Sequence, residues 1–96
     1  MTEQPDYWKK LSPRQRLNDA VHKFAQANSM PYNIAWILLE QRYNERYRVN
    51  LSILRYEHGL RHGTKPTIPS HLEFTGQIQE AIDIALTMKL EDQENG

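Results

Sequence analysis

Six basic side chains interleave with aromatic and apolar residues between positions 42 and 65: Arg42, Arg46, Arg48, Arg55, Arg61 and Lys65, with Tyr43, Tyr47 and Tyr56 among them. Guanidinium groups bond phosphate in bidentate fashion and aromatic rings stack on bases, so this is the composition of a surface that holds nucleic acid. Glu45 and Glu57 offset two of the six, leaving a local net charge of +4, whereas from Glu73 to Gly96 six acids stand against Lys89, a net of −5. The chain as a whole is neutral. Such polarity allows an anionic partner on one face and repels it from another. It equally allows the acidic end of one copy to dock on the basic middle of a neighbour.

His58 and His62 are four residues apart, on one helical face, with Glu57 alongside and His71 later in the chain. Two histidines at that spacing can share a metal ion, but zinc needs a third and a fourth ligand in register, and the helical motif with glutamate directly after its first histidine is absent. The expectation is therefore no metal site and no cofactor, with both imidazoles on the polar surface adding positive charge below neutral pH. Catalysis has no motif either: there is no glycine-rich phosphate loop, no nucleophile elbow and no carboxylate pair in a recognisable setting. The chain reads as a non-enzyme. The aromatic set Trp36, Tyr43, Tyr47 and Tyr56 divides between core and surface, with Trp36 and one or both of Tyr43 and Tyr47 expected inside.

The elements that must position these side chains are helices. Ser12 followed by Pro13 gives a hydroxyl cap with proline at the first helical position, where no amide donor is missed. Leu17, Ala20, Val21, Phe24 and Ala25 then repeat at spacings of three and four, predicting an apolar stripe and a helix to about Asn28. After Pro31 a second helix carries Ile34, Ala35, Ile37, Leu38 and Leu39, apolar on more than one face, as a central helix would be. Residues Tyr47 to Ile53 alternate as a strand does, but a lone strand would leave its backbone unpaired. The reading taken instead makes Asn50 an N-cap for a helix from Leu51 to about His62, ended by Gly63 and weakened by Gly59. Ser70 and Glu73 have capping-box spacing before a short helical turn, and a last helix buries Ile78, Ala81, Ile82, Ala85 and Leu86.

Ninety-six residues, 39% of them hydrophobic and 25% charged, make one soluble domain with a single modest core. The expected architecture is all-α, a small single-domain bundle of about four helices over residues 12–90. A flexible segment is expected at 1–11 and a flexible acidic tail at 91–96. Leu17, Val21, Phe24, Ile34, Leu38, Ile78, Ile82 and Ala85 form the predicted core, and Leu39, Leu54 and Leu60 the apolar residues left exposed for self-association. Absence of cysteine excludes disulfides and thiol catalysis. No apolar run approaches a membrane span and no signal peptide is evident, which makes the cytoplasm the expected compartment and a membrane partner unexpected.

The order Ala20-Val21, Ala35-Trp36, then Tyr43 and Tyr47 leading into Val49-Asn50-Leu51, and finally Glu80-Ala81-Ile82-Asp83-Ile84-Ala85 resembles the small C-terminal domain of phage antirepressors and related prophage regulators. The resemblance spans most of the chain. It implies a small helical module that stands beside a separate DNA-binding or antirepressor module, in a regulatory setting, and it assigns no binding residue.

Two readings follow. In the first, the central helix, the turn near Tyr47 to Asn50 and the helix from Leu51 act as a helix-turn-helix in which Arg42, Arg46, Arg48, Ser52, Arg55, Tyr56, Arg61 and Lys65 meet duplex DNA, the start of the second helix at base edges and the flanking cations on phosphates. The usual small residue of that turn is replaced by Tyr47, Arg48 and Val49. In the second, the chain is a protein-interaction or oligomerisation module, a homodimer or the binder of a regulatory protein, with no nucleic-acid contact.

Overall fold

The computed structural model describes residues 6–89. They fold as six helices: α1 (Asp6–Lys10), α2 (Pro13–Ala27), α3 (Tyr32–Tyr47), α4 (Leu51–His62), α5 (Ile68–Thr75) and α6 (Ile78–Thr87). The all-helical class is as expected, and no strand occurs among the described residues. Two helices exceed the expected number. One is α1, which buries Trp8 against the core; the other is α5, a full helix where a single turn was anticipated. The expected acidic tail at 91–96 lies outside the described residues.

Local chemistry explains most of the boundaries. Ser12 and Gln15 form a reciprocal capping box: the Gln15 amide donates to Ser12 Oγ at 3.2 Å, and the Ser12 amide donates to Gln15 Oε1 at 2.9 Å. Between α3 and α4 the chain turns in three residues. Arg48 adopts a left-handed conformation at φ 55°, Asn44 Oδ1 accepts the Leu51 amide at 2.9 Å, and Asn50 Oδ1 accepts the Ile53 amide at 3.1 Å. Two side chains thus satisfy two of α4's otherwise orphaned donors and fix the elbow. The cap of α5 is Thr67, whose hydroxyl accepts the Ser70 amide, and not the expected Ser70; Pro69 in the first turn favours this earlier start because it needs no amide partner.

Helix α2 is the hub, packed against α6, α3 and α5. Leu17, Val21 and Ala25 of α2, Ala35 and Leu39 of α3, Leu72 of α5 and Ala81 and Ile82 of α6 are sealed from solvent, with Leu51 added by α4. The core differs from expectation on α3. Ala35, Leu39 and Tyr43 point inward, whereas Ile34 is exposed, Leu38 is half-buried, and Leu39, expected outside, is fully buried. Phe24 packs at the edge of the core rather than inside it, and Leu86 of α6 is exposed while Ile84 is buried. Helix α3 is apolar on several sides, so packing and not composition selected its inward stripe.

Candidate functional site: the α4 face and its histidine seat

Helix α4 packs mainly on α5 and α3, while the α2 hub packs mainly on α6, α3 and α5. Of its 12 residues, Leu51 is the one buried in the core. At 3.6 residues per turn, Leu51, Arg55, His58 and His62 lie on one side of the helix, and Ile53, Tyr56 and Leu60 on the opposite side. The outward three are exposed to 55, 58 and 69%, respectively. Leu54 lies between the two sides, nearer the inward one, and it is exposed, as are Tyr47 and Val49 at the elbow.

The inward side is held by polar contacts. His58 Nδ1 meets His71 Nδ1 at 2.9 Å, and His71 is buried. The His62 ring stands 4.8 Å from that of His58, and Phe74 packs on both at 4.6 and 5.2 Å. The expectation that both α4 imidazoles belong to the polar surface is thus corrected for His58, whose partner thirteen residues away is brought to it by the turn between α4 and α5. Burial holds His71 below the ordinary histidine value, with His58 and Arg55 pushing in the same direction. Among the described residues no group of three or more histidines and carboxylates is arranged to hold a metal ion. Two imidazoles fall short of a zinc site's ligand set, and what they can share is a proton.

The basic residues do not lie on one face. Arg42 donates to the Lys89 carbonyl at 2.8 Å and, with Arg46 and Glu45, lines a groove against the end of α6. Arg55 donates from Nε to the Pro66 carbonyl at 3.0 Å and borders a separate groove of about 490 Å³ with Trp36, Ile37, Glu40 and Pro69. Arg46, Arg48, Ser52, Tyr56, Arg61 and Lys65 are exposed. The structure therefore leaves Arg48 and Ser52 exposed at the elbow and the start of α4, sets Tyr56 in the outward strip, and turns Arg42 and Arg55 to backbone carbonyls elsewhere. Tyr43 is buried and donates to Gln77 Oε1 at 3.3 Å; burial raises its hydroxyl above the ordinary value, and Glu80 and Tyr47 add to the shift.

Ile53 and Phe74 were not singled out from sequence as surface residues of consequence. Ile53 was legible, since it is three and seven residues before Tyr56 and Leu60. Phe74 was not, because its place beside the two imidazoles depends on how α5 folds back. No described helix is long and apolar enough to cross a membrane. No protein-family model, curated protein or solved structure matches the chain.

Proposed function

We propose that this chain is a protein-interaction domain that pairs with a second copy of itself through the outer face of α4, in the setting of a phage- or prophage-type regulator. The observation that carries the reading is the strip Ile53, Tyr56 and Leu60, three large apolar side chains exposed on the side of α4 that faces away from the body. Spacing of three and four residues along one helix face is how a helix engages a partner, and it differs from scattered surface apolarity. Exposed Arg46, Arg48, Arg61 and Lys65 flank the strip in sequence, so laying one α4 on another would oppose like charges. The acidic C-terminal part of the chain is the complementary surface, and α6 exposes Asp83 and Leu86. A two-fold pair in which each α4 receives the other copy's α6 end covers the strip, matches the charges and closes on itself. The resemblance to the small domain of phage antirepressors supports the regulatory setting.

A second reading, contact with duplex DNA through Arg46, Arg48, Ser52 and Tyr56, is favoured by the three-residue elbow between α3 and α4, the connection length of a helix-turn-helix. Two measurements separate these readings. Sedimentation velocity from low to high micromolar concentration is expected to give a dimer for the parent and a monomer of unchanged helical circular dichroism for Leu60→Asp. A parent that remains monomeric throughout, or a variant that dimerises equally well, would overturn the interaction reading. Fluorescence anisotropy of a mixed-sequence duplex at low salt is then the measure of the DNA reading, which requires binding that weakens in Arg46→Ala with Arg48→Ala.

A further inference from the structure

We propose that the His58–His71 pair is a proton-operated latch, seating α4 on α5 near neutral pH and releasing it in mild acid, and so regulating the α4 docking face. The inference rests on the reading of α4 as that face. Its basis is the direct approach of the two Nδ1 atoms at 2.9 Å, one of them on a buried ring. A neutral imidazole carries one N–H and one bare nitrogen, so the contact holds when a single proton lies between the rings, donated by one and accepted by the other. One further proton can reside on an outer nitrogen and leave the contact in place. Once both rings carry their full complement, N–H faces N–H and two cations stand in contact, so the pair must part.

Among the described residues no carboxylate is paired with either ring. From α4, His62 and Arg55 are the neighbouring basic groups; the adjacent Glu57 is exposed and turned about 100° around the helix from His58, and Arg61 is exposed as well. From α5, Phe74 is apolar, and Glu73 is already engaged by Arg14 of α2. On α6, which packs on α5, Glu80 bears on Tyr43; on α3, which packs on α4, Glu40 borders the groove that Arg55 shares. The latch also lies where α4 has least else to hold it. Leu51 anchors the first turn, and the C-terminal half of the helix is fastened by His58, by the ring contacts of Phe74 and by the backbone approach at Gly59. Parting the pair therefore loosens the half of the helix that carries Leu60.

Amide hydrogen exchange, corrected for intrinsic rates, tests this at neutral pH and near pH 5 on the parent and on Leu60→Asp. Protection of α4 relative to α2 should fall about tenfold or more in acid in both proteins. His71→Gln should abolish that pH dependence, with His58→Gln serving the same purpose if the first variant does not fold; His22→Gln, stacked on Tyr32 away from the pair, should retain it. Unchanged α4 protection in Leu60→Asp overturns the latch whatever the oligomeric state. If α4 opens in acid in both proteins while the parent is monomeric at every pH, the latch stands and the docking reading falls. Full pH dependence in folded His71→Gln also overturns it.

Discussion

Gly59 illustrates how far a residue's role departs from its intrinsic preference. In an exposed helix interior, replacing glycine with alanine stabilises by about 1 kcal/mol, because glycine surrenders more backbone freedom on folding. Here a Cβ at position 59 would stand 2.8 Å from the Lys65 amide nitrogen and 2.9 Å from its Cα, both backbone atoms that cannot swing aside. The chain leaving α4 passes over Gly59, and the Gly63 amide donates to the Gly59 carbonyl at 2.7 Å. The absent side chain is what lets the connection return toward α5 and bring His71 beneath His58. Gly59→Ala is expected to destabilise the protein by about 1–2 kcal/mol, the strain of overpacking exceeding the gain in propensity. Urea denaturation measures it, and a stabilised variant would mean that the connection moves freely. The same substitution should loosen the histidine contact, since both depend on one path of the chain.

Among the elements, α3 separates what local sequence decides from what packing decides. Its start after Pro31, the capped α2 before it and the Asn50 start of α4 after it all follow from residues within a turn of each boundary, and these were legible. Its rotation was not. Ile34, Ala35, Ile37, Leu38 and Leu39 surround much of the helix with apolar side chains, so periodicity alone allows several inward faces. The inward face taken is the one where the small Ala35 meets the body, with Leu39 and Tyr43 one and two turns on. The cost of truncation should follow that rotation. Leu39→Ala is expected to lose about 2–5 kcal/mol and the half-buried Leu38→Ala about 1–2 kcal/mol in denaturant titrations. Equal losses would contradict the assigned face. The site shows the same division: the arginine content of residues 42–65 is plain in sequence, whereas the turning of Arg42 to the Lys89 carbonyl and of Arg55 to the Pro66 carbonyl belongs to tertiary structure. Likewise, the spacing of His58 and His62 was visible, but the pairing of His58 with His71 required the fold.

For the whole molecule, the separation of charge is the property that makes self-association and DNA binding respond in opposite ways. The segment from Arg42 to Lys65 is positive and that from Glu73 to Gly96 negative, within a chain of zero net charge. If one copy's acidic end docks near another copy's α4, Glu91, Asp92 and Glu94 contribute attraction across the pair; if α4 and its elbow bind duplex DNA, the same carboxylates compete with phosphate. Reversing all three to lysine alters six carboxylates across the two-fold pair and should weaken self-association by about a hundredfold, taking about 0.5 kcal/mol for each exposed charge. Under the DNA reading it should instead strengthen duplex binding and steepen its salt dependence, because added cations release more counterions. Acid changes the balance through the folded state as well. His71 is held below its ordinary value of 6.5, so the unfolded chain takes up that proton more readily than the folded one. Its contribution to stability is full above about pH 6.5, declines as the pH falls through that value, and levels off below the lowered folded-state value. Sedimentation of the parent and the triple reversal at neutral pH, with duplex anisotropy on the same two proteins, reads both signs. A weaker dimer with no gain in DNA binding would identify the acidic end as part of the protein interface, whereas an unchanged dimer with tighter DNA binding would transfer the basic segment to the nucleic-acid reading.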